Sequence, residues 1–334
     1  MQELLALLHT EDDGLRNMKR VIPVGNFNGH VRYEDVGFGE KRKMLVMGIL
    51  NVTPDSFSDG GKYNNVDAAV AEAISMIQDG ADIIDIGGES TRPGATEVSI
   101  EDEISRTIPV IKALRAKGIN SIISIDTRKS SVARLAVENG ANIVNDVSGG
   151  KFDSAMLSTV AELGVPVILM HMRGTPVTMS SLSTYSPNGA HNSSIAVVDQ
   201  VITELAEQLK KADRAGIPRW CQIVDPGIGF AKEMDHNLSL LQPNNLRRIT
   251  KMLCGRPMLV GVSRKRFIGK ILDDRKSLIS GDNINLEVDI ESKDWGTAGA
   301  CCAAVLGGSN FIRVHNVKGV RAACDVFNRI IEGE

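Results

Sequence analysis

The sequence predicts one (β/α)8 barrel of the α/β class, and three observations predict it. From residue 44 onward, short β-branched or apolar runs alternate with longer helical patterns. The runs occupy 44–50, 82–86, 121–125, 141–144, 165–170, 221–224, 257–262 and 310–314, and eight strands each followed by a helix close a barrel. Several runs are apolar without a break, as parallel strands covered on both faces must be. A doubly wound sheet is the structural rival. It usually needs fewer strands and a Gly-rich fingerprint, and no GxGxxG follows the first strand.

The elements follow in order. Helical patterns fill 66–79, 101–116, 129–139, 193–215 and 317–332. Residues 1–43 are charged, mixed and without a clear period, so they read as an N-terminal extension or linker ahead of a barrel over 44–334. Residues 52–65, after the first strand, are rich in Pro, Asp, Ser and Gly, and 274–294 are polar and irregular, an expected insertion before the last barrel helix. Hydrophobic residues make up 43% of the 334, enough for one barrel-sized core, and 4% aromatics with 32 Gly suit an aliphatic interior with tight turns.

Composition removes several classes of function. Lys plus Arg number 38 against 41 Asp plus Glu, so no global basic field exists to hold nucleic acid. The five Cys include no CxxC pair, which argues against a disulfide framework or zinc ribbon and fits a reducing compartment. No apolar run reaches the ~18 residues that span a bilayer. The start, MQELLALLHTEDD, lacks the basic opening of a signal peptide. A soluble intracellular chain, in the cytoplasm or an organelle matrix, is expected.

Polar residues fall where the strands end. Asn51 closes the first run; Asp85, Glu89, Ser90, Thr91 and Arg92 lie on or after the second. Asp126, Asn145 with Asp146, His171 with Arg173, and Asp225 end the next four in turn. Ser263, Arg264, Lys265 and Arg266 follow the seventh, and Arg313 with His315 the eighth. In a barrel these ends share one mouth, where active sites sit. Each has a plainer reading. Asp126 could cap the third helix, Asp225 could make an Asx turn with Pro226 and Gly227, and Asn145–Asp146 could be turn chemistry. His171 reads as a satisfied core histidine, Cys301 and Cys302 as packing, and Met170 and Met172 as wall residues.

Lys265 is harder to set aside. Arg264, Lys265 and Arg266 are expected to open the seventh helix, where cations oppose the helix dipole by about 0.3–1 kcal/mol each. An anion nearby would make that tolerable, and helix N-termini after strands seven and eight commonly bind phosphate. Arg313, His315 and Arg92 thicken the same basic patch and point to a phosphate or diphosphate. Asp126, Asn145 and Asp225 suit a heterocycle whose amidine or guanidine edge offers parallel N–H groups. Pterins and guanine both carry that edge.

MGILNVTPDSFSDGG (47–61) and DIIDIGGESTRPGA (82–95) are similar to the two signature loops of the dihydropteroate synthase family. SIDT (124–127), NIVNDVSGG (142–150), MHMRGTP (170–176), DPGIGFAK (225–232), GVSRKRFIG (261–269) and RVHNV (313–317) follow in that family's order, across residues 44–334. The resemblance implies condensation of 6-hydroxymethyl-7,8-dihydropterin diphosphate with 4-aminobenzoate, giving 7,8-dihydropteroate and diphosphate, with Mg2+ as cofactor. It implies a pterin pocket of Asp126, Asn145, Asp225 and Lys265, with Asn51 on the metal and diphosphate. Arg92, Arg313 and His315 would hold the diphosphate, and Phe57, Thr91, Pro93 and Phe230 would surround the aminobenzoate. Catalysis is expected from Lys265, Asp126, Asp225 and Arg92. Sulfonamides are expected to compete with aminobenzoate.

The chain departs from the family pattern at Arg173, at Asn316, where many members have Asp, and at Arg266, where some have Ser. Arg266 could meet the aminobenzoate carboxylate directly. Gly60, Gly61, Gly87, Gly88 and Gly94 give the first two loops the makings of movable lids. The family also implies a homodimer, and in some organisms a longer multifunctional folate-pathway protein. A pterin-dependent methyltransferase barrel, a non-catalytic pterin-binding relative and a guanine-nucleotide enzyme are the competing readings. The first would not need STRPG or SRKR, and the second would be marked by loss of Arg92, Lys265 or Arg313, all present.

Overall fold

The computed structural model describes residues 21–27, 30–35, 44–53, 62–92, 94–185, 194–280 and 288–332. Strands β1 (Val21–Phe27) and β2 (His30–Asp35) pair antiparallel, with Phe27 opposite His30. The residues between them are Asn28 and Gly29, the dipeptide that two-residue hairpin loops favour. This hairpin lies inside the stretch read as periodless. Pro23 and Gly25 break the alternation, and the pairing register shifts between them. The remainder of 1–43 lies outside the described residues.

The barrel strands are β3 (Leu45–Asn51), β4 (Ile83–Gly87), β5 (Ile122–Asp126), β6 (Ile143–Asp146), β7 (Val167–Met170), β8 (Gln222–Asp225), β9 (Leu259–Gly261) and β10 (Phe311–Val314). They form one parallel sheet of order β8-β7-β6-β5-β4-β3-β10-β9. A parallel bridge between Val224 and Met258, with the Val224 N–H on the Pro257 carbonyl at 2.9 Å, joins the two ends. The sheet therefore closes, which excludes the doubly wound alternative.

The helices are α1 (Lys62–Gln78), α2 (Ile100–Ala116), α3 (Ser130–Glu138), α4 (Met156–Leu163), α5 (Ser194–Arg214), α6 (Met234–Leu241), α7 (Pro243–Met252), α8 (Arg266–Ser280), α9 (Ile290–Leu306) and α10 (Val317–Glu332). Local chemistry starts them. Ser99 Oγ accepts the Asp102 N–H at 3.0 Å, and Glu101, Asp102 and Glu103 place negative charge on the first turn of α2. Asp289 caps α9 through the Ser292 N–H at 2.6 Å. Helices reach into both ends of the segment expected to be irregular, since α8 runs to Ser280 and α9 starts at Ile290; residues 281–287 lie outside the described residues.

Strand alternation sorts the side chains. Val46, Ile84, Ile123, Val144, Val167, Val224, Val260 and Ile312 face the helices in the large outer core. Leu45, Met47, Ile83, Ile122, Ile143, Ile168, Ile223, Leu259 and Phe311 fill the barrel floor. Because the side-chain period is two, the next inward positions are Asp85, Ser124, Asn145, Asp225 and Arg313. The apolar floor gives way to a polar layer one step toward the mouth. We predict that Ile83→Ala, at 0% exposure, lowers the unfolding free energy by about 2–5 kcal/mol in urea titrations.

Candidate active site

Arg313 rises from β10 into the barrel interior. Its Nε donates to Asp85 Oδ2 at 2.6 Å and its Nη2 to Asp126 Oδ2 at 2.6 Å. Asp85 Oδ2 also accepts from Asn145 Nδ2 at 3.0 Å. The expected residues Asp126, Asn145 and Arg313 thus meet, with Asp85 at their centre. Burial raises the Asp126 carboxyl to about 7 against the pull of Arg313, and Asp85, Glu103 and Asp146 add to the rise. Asp126 does not cap α3. The N-cap, Lys129, has no side-chain capping bond, and Asp153 Oδ2 accepts the Ser130 N–H at the start of the helix at 2.8 Å. Asp146 does serve the turn, accepting the N–H groups of Ser148 and Gly150 at 2.8 and 2.7 Å.

Asp225 ends β8, and both readings of it hold. Its Oδ1 accepts the Gly227 N–H at 2.7 Å, the Asx turn, while burial raises the carboxyl to about 6 despite Gly227, Lys265, Lys232 and Arg313. Gly227 is required there: its φ is +67°, and a Cβ would lie 1.9 Å from the His171 carbonyl oxygen. Lys232 backs this corner. Its Nζ lies 2.9 Å from His171 Nδ1 and donates to the Phe230 carbonyl at 3.0 Å. His171 Nε2 contacts Glu204 at 3.0 Å, so the carboxylate holds the proton on Nε2 and leaves Nδ1 to accept from Lys232. Burial pushes Lys232 down to about 7 and His171 to about 3. His171 is the satisfied core histidine that was expected. Arg173 also turns away from the mouth, pairing with Glu204 and lying 4.1 Å from the Tyr185 ring centroid.

The loop after β9 carries Lys265. Its Nζ lies 4.1 Å from the Phe230 ring centroid, and burial lowers the amine to about 8, with Arg313 adding to the fall while Asp225 and Asp126 oppose it. Phe230 packs beside Met170, Met172 and Ala231, which form the wall. The cations do not all open the helix as expected. Arg264 precedes α8 with φ +57°, and Asp294 clamps its guanidinium at 2.7 and 2.9 Å. Asn316 donates to the same Asp294 at 3.2 Å, where an Asp would set carboxylate against carboxylate. Arg266 is the first residue of α8 and is exposed.

Around the rim, His315 Nδ1 lies 2.9 Å from Ser263 Oγ, which also accepts the His315 N–H at 3.1 Å. The hydroxyl can then donate to Nδ1, leaving Nε2–H as a donor. Burial, with Arg264, Arg313 and Arg92 nearby, pushes this imidazole down to about 3. Asn51 is half-buried at the mouth end of β3; Thr91 is half-buried and Arg92 exposed on the loop after β4. Glu89 pins that loop's base, accepting the Val98 N–H at 3.0 Å and pairing with Arg128 and Lys129 at 3.0 and 3.1 Å. Phe57 and Pro93 lie outside the described residues, as does most of the first loop (54–61).

Asp85 and Lys232 are the site groups that sequence reading did not assign. Asp85 carried a signal, being a carboxylate inside an otherwise apolar strand, two residues beyond the floor position Ile83. Lys232 lies beyond its strand in a loop, and nothing local marks it. Cys301 is buried and Met170 and Met172 line the wall, in keeping with packing roles. Gly227→Ala is expected to cost about 2–5 kcal/mol, strain and clash together. Gly216→Ala, at φ +90° with nothing within 4 Å of the added Cβ, should cost only the strain, about 1–2 kcal/mol, in parallel urea titrations.

The chain is 43% identical over 286 residues to a dihydropteroate synthase of Synechocystis, covering 85% of this chain and 89% of that one. It is 42% identical over 313 residues to a folate synthesis bifunctional protein of Arabidopsis thaliana, covering 92% of this chain but 58% of that longer protein. The structure of Xanthomonas albilineans dihydropteroate synthase with 4-aminobenzoic acid superposes with a TM-score of 0.75 at 36% identity, covering 94% of this chain and 99% of that one. The same enzyme with 7,8-dihydropteroate gives 0.70 at 36% identity, over 86% and 94%. Residues 47–315 match the pterin binding enzyme family, and this chain belongs to it.

Proposed function

We propose that this chain joins 6-hydroxymethyl-7,8-dihydropterin diphosphate to 4-aminobenzoate, forming 7,8-dihydropteroate and diphosphate. The observation that carries the reading is the meeting of Asp126, Asn145, Asp225 and Lys265 at one barrel mouth beside the Phe230 wall. Asp126 and Asp225 accept the N–H groups of the ring edge, and Lys265 donates to the ring carbonyl. Charge-assisted bonds of this kind contribute about 1.5–3 kcal/mol each.

An aromatic amine is neutral near pH 7 and needs no strong base before it attacks, so the work lies in placing it and in helping the leaving group depart. The methylene C–O bond breaks with its electron pair going to diphosphate. The amine nitrogen then bonds to the methylene carbon and releases a proton to solvent. Arg92 and His315 Nε2–H receive the departing charge, and Arg313 adds its field from the floor. Asp126 and Asp225 favour the cation that spreads into the ring. Thr91 and Phe230 line the place for the aminobenzoate, with Arg266 near its carboxylate, and the resemblance adds Phe57 and Pro93, which lie outside the described residues; sulfonamides occupy the same place.

Among the described residues, no three His, Cys, Asp or Glu side chains gather as a metal cage. Asn51, at the mouth end of β3, offers an amide oxygen, which fits Mg2+, an ion held through one or two protein oxygens together with substrate phosphates. Bound there, the ion would neutralise diphosphate charge.

We also propose a homodimer through the outer helices, where Leu241, Pro243, Phe267 and Ile271 line an apolar groove. Among the described residues no helix is long and apolar enough to cross a membrane, and all five Cys are free, which supports a reducing intracellular compartment. The likeness to a bifunctional protein supports a place in a multifunctional folate-pathway chain, with 1–43 as extension or linker.

The test is diphosphate release from the purified chain with the dihydropterin diphosphate and Mg2+, with and without 4-aminobenzoate. Dihydropteroate should form, and Asp225→Ala or Lys265→Ala should lower kcat/KM for the pterin by about 10- to 100-fold. Release without amine supports departure before attack. No product, but tight pterin binding, favours the methyltransferase or non-catalytic reading. The pH profile has a fixed sign. Asp225 near 6 and Asp126 near 7 must be ionised to accept ring N–H groups, and Lys265 near 8 must be protonated. Pterin kcat/KM should therefore fall below neutral pH and again above about 8, a bell that Asp225→Asn narrows to one acid group.

A further inference from the structure

Asp85 is fully buried on β4. One of its oxygens, Oδ2, takes both Arg313 Nε at 2.6 Å and Asn145 Nδ2 at 3.0 Å. The other, Oδ1, has no hydrogen-bond partner, and neither does Oγ of Ser124, its register neighbour on β5. Asp126, nearer the mouth, holds the far end of the same guanidinium. We propose that Asp85 is the positioning residue of the ring pocket, fixing Arg313 and Asn145 through one oxygen so that Asp126 can exchange the guanidinium for the ring. This rests on the pterin reading above.

Two arguments carry it. Ring N–H groups that reach Asp126 compete with Arg313 for Oδ2, the oxygen that holds the guanidinium. Were Asp126 the sole carboxylate on Arg313, turning to the ring would leave a half-buried guanidinium without a counter-ion, which is unfavourable. Asp85 remains as counter-ion, so the exchange leaves no charge unpaired. Second, a side-chain amide can present either its oxygen or its nitrogen, and the hydrogen-bond network decides which. Donation from Nδ2 to Asp85 orients Asn145 and directs its carbonyl oxygen elsewhere, as an acceptor alongside Asp126 and Asp225. A neutral amide at position 85 would hold Arg313 weakly and leave Asn145 free to turn over.

The groups facing Asp126 are Arg313 on β10, Asp85 on β4, Glu103 on α2, Asp146 on β6 and Lys265 ahead of α8. Removing the Asp85 charge deletes a like charge and leaves Arg313 wholly to Asp126. The acid limb of the pterin profile should therefore move to lower pH. A merely structural role would not move that limb.

The experiment uses full-length wild type and Asp85→Asn with the dihydropterin diphosphate, 4-aminobenzoate and Mg2+. We expect kcat/KM for the pterin to fall on the order of 10²-fold, the acid limb to shift downward, and KM for 4-aminobenzoate to stay unchanged. Unchanged pterin kinetics, or an unshifted limb with both KM values raised, overturns the proposal. Wild type that forms no dihydropteroate overturns the functional reading and this role with it; active wild type with an unaffected variant overturns this role alone. A crystal structure of wild type with the dihydropterin diphosphate gives a result even if the variant fails to fold. Arg313 still on Asp85 with Asp126 turned to the ring supports the proposal, and Asp126 still on Arg313, or Arg313 gone from Asp85, overturns it.

Discussion

A guanidinium inside a β-barrel is the constraint around which the mouth is arranged. An unpaired buried cation is strongly unfavourable, so Arg313 needs carboxylates that reach it from other strands. Parallel registration supplies them: Asp85 and Asp126 stand on neighbouring strands, and the period of two places both inward above the Ile83 and Ile122 floor. Asn145, one strand further, completes the set through Asp85.

Around this centre, three of the described loops that carry candidate site residues are tied down by charge as well as by apolar packing. Glu89 takes Val98, Arg128 and Lys129 beneath the loop of Thr91 and Arg92. Glu204, His171 and Lys232 run in series beneath the loop of Phe230. Asp294 holds Arg264 in a left-handed conformation that a non-glycine residue rarely adopts, and the next residue is Lys265. Polar networks of this kind rigidify a site when their members are satisfied.

Strands were the most legible feature, because buried parallel strands are short apolar runs bounded by helical periodicity. Expected and observed strands agree to within a few residues even for β9, which is only Leu259–Gly261. The candidate site was legible as far as strand ends mark it, and the structure brings Asp126, Asn145, Asp225, Lys265 and Arg313 to one mouth. Three things were less legible. Asp85 is interior to its strand, and its role depends on what the neighbouring strands carry. Lys232 acts across the chain on His171, 61 positions away in sequence. The β1–β2 hairpin was hidden by Pro23 and Gly25, although Asn28–Gly29 was a usable turn signal. The charge run at 264–266 misled in another way: Arg264 is neutralised by Asp294, 30 positions later, on the helix that begins at Ile290.

The mouth has a polarity along its axis. Above the apolar floor, the carboxylates of Asp85, Asp126 and Asp225 stand among the cations Arg313, Lys265 and Lys232. At the rim stands exposed Arg92, beside the donor nitrogen of His315. Opposite charges are interleaved deep in the mouth, while exposed positive charge stands at the rim. A ligand with an uncharged ring at one end and an anion at the other would match that axis when it enters ring first.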